Sequence, residues 1–284
     1  MFKFGVDTFI WSENFSEKDL WILDKSQELG FKTLDIAISH PETFPTEAVK
    51  TRKNALGLEV VTTTTLNKET NLIDPDPTIR SNGIRSLKTL VDINVALDSK
   101  ILGGVNYAAW GYFTGKPRTQ QEWDWSIASM REVAQYAMQK SDLVIALEPV
   151  NRFETHFLNI AADAVRYCQE VGTGNVKVHL DTFHMIREET SYTQAVETCG
   201  KTYLGYVHVC ENNRGIPGTG LVPWKEFFTA LKKINYNGPL VIESFDPSFE
   251  ELNRLCAIWR KFAESGEALA VQGLANLQTI AAQI

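Results

Sequence analysis

Short apolar runs recur along the chain, and stretches with helical spacing separate them. Leu20, Ile22 and Leu23 give apolar content to a helix that Ser16 can cap, with Asp19 three positions on as its box partner. Gly30 supplies the left-handed position that ends this helix, and Thr33–Ile38 follows as a strand. The plan repeats as a helix near Glu47–Leu56, then Gly57, then Leu58–Thr64. It repeats again as a helix over Trp224–Ile234, a turn at Asn237, Gly238 and Pro239, and a strand into Glu243.

The same reading predicts eight strands: Phe4–Phe9, Thr33–Ile38, Leu58–Thr64, Lys100–Val105, Val144–Glu148, Val176–Asp181, Gly205–Val209 and Leu240–Glu243. They are short and apolar on both faces, as parallel strands covered on both sides must be. Helical segments between them imply βαβ units, and eight units closing on themselves give a (β/α)8 barrel. A doubly wound open sheet would carry a glycine-rich turn after its first strand, and Gly5–Ser12 has none. The longest insertion is expected after the fourth strand, over Asn106–Asp124. Ser248–Ser265 and Glu267–Ile284 both read as helical. The last, with Leu269, Leu274, Leu277 and Ile280, suits closure of the barrel or contact with a second chain. Residues 1–284 are therefore expected to form a single barrel domain with a C-terminal helical extension.

Composition narrows the function classes. With 284 residues, the length suits one barrel of about 250 residues and a short tail. A net charge of −7 and the absence of a Lys/Arg run argue against a nucleic-acid partner. Cys168, Cys199, Cys210 and Cys256 form no C-x-x-C pair and read as free thiols of a cytoplasmic protein. Asp7 and Glu13 interrupt the N-terminal apolar run, which is neither a signal peptide nor a membrane span.

Four of the strands end on chemistry. Glu148, Asp181, His208 and Glu243 stand at or near the ends of strands five to eight, which in a parallel barrel face one mouth. Any one acid at a strand end is ordinarily a solvated loop residue. Three carboxylates and an imidazole converging on one point would repel unless a cation sat among them. Three oxygens and one nitrogen suit Mn²⁺, Mg²⁺ or Co²⁺, with Zn²⁺ also compatible. Asn151, Arg152 and Glu154 follow Glu148, His184 follows Asp181, and Asn212, Asn213 and Arg214 follow His208. They read either as partners for a polyhydroxylated ligand or as ordinary loop residues.

Three segments carry a family resemblance. E-P-V-N-R-F-E from Glu148, H-L-D-T-F-H-M from His179, and His208 to Trp224 resemble the ketose 3-epimerases of the D-tagatose/D-psicose group. These belong to the xylose-isomerase-like barrels of sugar isomerases and epimerases. The resemblance implies a TIM barrel of that type and a divalent metal, manganese first, held by Glu148, Asp181, His208 and Glu243. It implies Glu148 and Glu243 as the acid/base pair. Glu154, His184 and Arg214 match substrate-binding positions, and Trp110 matches an aromatic lining the sugar pocket. The implied partner is a small-molecule sugar. A homodimer or homotetramer is a separate expectation, in which Trp123 and Trp125 read as exposed aromatics that either meet a second chain or pack on the barrel.

The chemistry agrees with that resemblance. A proton next to a ketone is weakly acidic, and its removal needs a base and stabilisation of the enediolate. The N-terminal half departs from the family. Thr62–Thr65 and the loop Gly111–Arg118 would form the far side of the pocket, where Lys116 and Arg118 read either as an anion reader or as a solvated loop. Competing expectations are an aldose–ketose isomerase of hydroxypyruvate type, an inosose-type dehydratase, and a non-catalytic sugar-binding barrel. A DNA-repair endonuclease would need a histidine-rich zinc site. The chain has five histidines, and His40, His156 and His179 lack an evident cluster in the sequence.

Overall fold

Each of the eight apolar runs forms a parallel strand in the computed structural model, which describes residues 2–284. In chain order the elements are β1 (Lys3–Asp7), α1 (Trp21–Glu28), β2 (Thr33–Ala37), α2 (Thr46–Leu56), β3 (Glu59–Leu66), α3 (Pro77–Ala96), β4 (Ile101–Ala109) and α4 (Gln120–Met138). Then come β5 (Val144–Leu147), α5 (Ala161–Val171), β6 (Val176–Asp181), α6 (Thr182–Glu188), α7 (Tyr192–Tyr203), β7 (Leu204–His208), α8 (Trp224–Lys233), β8 (Pro239–Ile242), α9 (Glu250–Cys256) and α10 (Gly266–Ala281). The strands pair in sequence order and β8 returns to β1, closing the barrel.

Burial explains why these segments are strands. Every residue of β2, β4 and β8 is buried, because the outer face meets the helices and the inner face fills the barrel. The helices turn one face inward. In α5, Ala161, Ala164, Val165, Cys168 and Val171 are buried. The tail helix α10 buries Leu269, Ala270, Leu274 and Leu277 and packs against α8 and β8, so it covers the barrel.

Some expected boundaries move. The Ser16–Asp19 capping box forms, with the Ser16 backbone N–H donating to Asp19 Oδ2 at 2.9 Å, but it opens a single 3-10 turn before α1. The insertion expected from Asn106 is shorter. β4 continues to Ala109, leaving a loop of residues 110–119. Asn106 and Tyr107 look like loop residues in the sequence, yet they are held inside. Asn106 Nδ2 donates to Ala146 O at 3.3 Å and Tyr107 Oη to Glu148 O at 2.8 Å. Of Ser248–Ser265 only Glu250–Cys256 is helical. The chain turns at Ala257, which adopts φ 55°, and Ile258 N–H closes onto Asn253 O at 3.0 Å. Trp123 is a core residue packed on Phe157 and Tyr167, not a surface aromatic.

One irregularity bears on function. Gly104 has φ 103°, and a Cβ there would lie 2.1 Å from Thr64 O, so only glycine fits where β4 crowds β3. Its carbonyl accepts the Glu148 backbone N–H at 3.0 Å. Together with Tyr107 Oη on the Glu148 carbonyl, it fixes the backbone of the first acidic residue past β5.

Candidate active site

The C-terminal ends of β5 to β8 bring Glu148, Asp181, His208 and Glu243 together. Asp181 is the last residue of β6 and the N-cap of α6, with Oδ1 accepting the Phe183 N–H at 2.8 Å. That cap leaves Oδ2 turned to the barrel mouth, where Arg214 reaches it, and sets His184 three residues on in the first turn. Asp181 and His208 are register partners across β6 and β7. Beyond them, Cys210 N–H donates to Thr182 Oγ1 at 2.8 Å and Thr182 Oγ1 donates to Cys210 O at 2.6 Å, stitching the two strand ends.

Ligand atoms of Asp181, His208, Cys210 and Glu243 lie within 4.8 Å of one another. The same holds for Glu148, His179 and His208, and for Glu148, Asp181 and His184. These clusters overlap at Asp181 and His208, and the two glutamates reach that pair from separate strands. His208 Nδ1 is buried without a hydrogen-bond partner and lies 3.3 Å from Glu243 Oε2. An unpartnered imidazole nitrogen among carboxylates fits a divalent cation. The set Glu148, Asp181, His208 and Glu243 gives one nitrogen and three carboxylates. Burial pushes the neighbouring Cys210 thiol well up in the metal-free protein.

Electrostatics separate the two glutamates in the metal-free protein. Burial, and then the charge of Glu243, push Glu148 well above the usual carboxylate range. Burial pushes Glu243 the same way, but Arg214 and His208 override it and hold its carboxyl well below that range. A dication among these donors opposes the shift at Glu148. Arg214 Nη1 donates to Asp181 Oδ2 at 2.8 Å and to Glu243 Oε2 at 2.6 Å, while its guanidinium lies over the Phe183 ring at 4.0 Å.

The remaining expected residues form one wall. Trp110 Nε1 donates to Glu154 Oε2 at 2.8 Å, and Asn151 Nδ2 donates to Glu154 Oε1 at 2.7 Å. The Asn151 backbone N–H donates to His184 Nδ1 at 3.2 Å. His184 Nε2 faces the site, 3.6 Å from both Glu148 Oε1 and Asp181 Oδ2 and 3.4 Å from Arg214 Nη2.

Other polar residues have structural partners. Arg152 pairs with Glu188 at 2.9 Å on the surface. Asn212 Oδ1 accepts from Leu221 N–H and Asn213 Oδ1 from Gly215 N–H, each at 2.9 Å, so both hold their own loop. Arg118 is paired with Asp163 at 2.8 Å, donates to Phe157 O at 2.7 Å and lies over Trp123, which removes it as an anion reader. Lys116 is exposed.

Residues 23–279 match the family described as Xylose isomerase-like TIM barrel. The chain belongs to this family. It is 33% identical to the D-psicose 3-epimerase of Ruminiclostridium cellulolyticum over 270 residues, 93% of this chain and 91% of that one. It is 33% identical to the ketose 3-epimerase of Arthrobacter globiformis over 282 residues, 97% and 96% of the two chains. The crystal structure of a D-allulose 3-epimerase from Methylomonas sp. in complex with D-allulose matches with TM-score 0.93 at 31% identity, covering 98% of this chain and 96% of that one. The barrel expected from the strand pattern and the family expected from the motifs are both found.

Sequence reasoning missed an inner polar layer. His179 points into the barrel with neither ring nitrogen hydrogen-bonded, its ring 4.2 Å from that of His208. It therefore does have a cluster, and burial followed by the charge of His208 pushes its pKa well down. Asp7 and Asp35 are register partners on β1 and β2 and both are buried. Glu211 is also buried. It accepts from Gly218 N–H at 2.9 Å, Val222 N–H at 3.1 Å and Trp224 Nε1 at 3.1 Å, pinning the loop into α8. A charged residue inside a wholly apolar strand was the available signal for Asp7 and Asp35. For His179 it was its position two residues before Asp181, on the same strand face.

Proposed function

We propose that this chain is a divalent-metal-dependent ketose 3-epimerase, moving the proton on the carbon next to the carbonyl of a free ketose through an enediolate. The observation that carries this reading is the meeting of two glutamates from separate strands, Glu148 and Glu243, at the Asp181–His208 pair. Epimerisation needs one group to take the proton from one face of the carbon and another to return a proton to the opposite face. Two carboxylates arriving from β5 and β8 supply that pair. Each acts as base in one direction of the reaction and as acid in the other.

The ion would be held by Glu148, Asp181, His208 and Glu243, and we assign manganese because oxygen donors dominate the set. When bound, a divalent cation supplies Lewis acidity that stabilises negative charge on the sugar oxygens. Arg214 adds a fixed donor at the carbonyl end, with His184 beside it. Glu154, oriented by Trp110 and Asn151, accepts from the sugar hydroxyls, and Trp110 lines the sugar pocket. The four free cysteines are consistent with a cytoplasmic enzyme. No described helix is long and apolar enough to cross a membrane.

Product analysis by NMR tests this reading. Incubation with a ketohexose is expected to yield its C3 epimer. An aldose as the main product, or a dehydrated product from an inosose, would replace the assignment with an isomerase or a dehydratase.

A further inference from the structure

Beneath His208 the barrel holds a carboxylate that no proton-transfer step uses. Asp35 lies on β2 and is fully buried between β1 and β3. Its Oδ2 accepts from His208 Nε2 at 3.0 Å and from Tyr206 Oη at 2.6 Å, and its Oδ1 accepts from Thr63 Oγ1 at 3.1 Å. The three donors come from β7 and β3. They meet a residue 173 positions from His208 in the chain, so the arrangement exists only in the closed barrel.

The geometry points to Asp35 as a positioning residue for the metal centre. By accepting from Nε2 it holds the imidazole with Nδ1, which has no hydrogen-bond partner, turned toward the Asp181–Glu243 side, so that Nδ1 is the nitrogen a cation would take. Tyr206 and Thr63 in turn fix the plane of the Asp35 carboxylate, so the acceptor stays in place and the imidazole cannot rotate without breaking its bond to it. Asp35 touches neither the sugar nor the ion. It acts through His208. The inference rests on the proposed reading only in taking His208 as a metal ligand.

Calorimetric titration with Mn²⁺ tests it without any turnover. The proteins needed are wild type, Asp35→Ala, His208→Ala and the double variant, with circular dichroism verifying the fold of each. Asp35→Ala is expected to weaken Mn²⁺ binding by about 10–100-fold. In the His208→Ala background the same change is expected to have little further effect, because the residue it positions is gone. Wild-type Mn²⁺ affinity in folded Asp35→Ala would overturn the inference, and so would an equal loss in both backgrounds. If Asp35→Ala does not fold, Asp35→Asn keeps the volume but cannot accept from all three donors. A smaller loss in the same direction is expected, and none would overturn the inference. Active enzyme with unchanged Mn²⁺ affinity in the variant removes the positioning role and leaves the epimerase reading intact. A wild type that binds no Mn²⁺ removes both.

Discussion

Arg214 holds Glu243 through a hydrogen bond of 2.6 Å from Nη1 to Oε2, and with it keeps that carboxyl ionised at the mouth of the barrel. The same nitrogen reaches Asp181, so one guanidinium spans the ends of β6 and β8. On the proposed mechanism, removing it takes away a donor for the negative charge that develops at the carbonyl end. Arg214→Ala is expected to lower kcat by about 10²–10³-fold. Arg214→Lys should recover only part of this, because an ammonium cannot reproduce the planar fork. Steady-state kinetics on a ketohexose checks both, and an unchanged kcat in the alanine variant would remove the role.

Asp7 predicts a pH signature in the metal-free protein. Burial first, then the charges of Asp35 and Glu243, push its carboxyl well above the ordinary range. The unfolded chain ionises Asp7 near its ordinary value while the folded chain resists. Folding therefore loses stability as pH rises from that range toward the raised value, by up to about 1.4 kcal/mol per pH unit. Asp7→Asn removes the cost and keeps the Oδ1 that caps Phe9 N–H. Its Tm is expected to exceed that of wild type at pH 8, with the difference closing toward pH 4. A difference that does not change with pH would contradict this.

Glu211 predicts a stability effect remote from chemistry. Its buried carboxylate satisfies donors at Gly218, Val222 and Trp224, and alanine there leaves them without partners. Glu211→Ala is expected to cost about 3 kcal/mol or more and to lower Tm by roughly 5–10 °C. Thermal unfolding followed by circular dichroism measures it.

Trp110 predicts a binding effect. Phenylalanine keeps the ring but loses the N–H that orients Glu154. Trp110→Phe is expected to raise KM by roughly fivefold, about 1 kcal/mol, with a smaller change in kcat. A fall in kcat at constant KM would place Trp110 with the transition state instead.

The barrel was legible because parallel strands covered on both faces leave unbroken apolar runs, and glycines such as Gly30 and Gly57 mark where helices end. The mouth was legible because Glu148, Asp181, His208 and Glu243 occupy equivalent places in successive units. The layer beneath was not. Asp35 meets His208, and Asp7 meets Asp35, only once strand register is known. The loops misled in the other direction. Arg118, Asn212 and Asn213 have the composition of ligand-binding residues, yet Arg118 is consumed by Asp163, a partner that lies nearby only after folding, and the two asparagines by backbone N–H groups of their own loop. β4 ran longer than expected because Asn106 and Tyr107 find buried acceptors in the Ala146 and Glu148 carbonyls, which no local pattern reveals.

The central claim is proton transfer at the carbon beside a ketose carbonyl by Glu148 and Glu243. Incubation of Mn²⁺-loaded protein with a ketohexose in D₂O, followed by NMR, measures it directly. The account predicts deuterium at carbon 3, loss of exchange on chelation, recovery on adding Mn²⁺, and no exchange in folded Glu243→Gln. Absence of exchange at carbon 3 with any ketose in metal-loaded, folded wild type would contradict it, as would full exchange in Glu243→Gln.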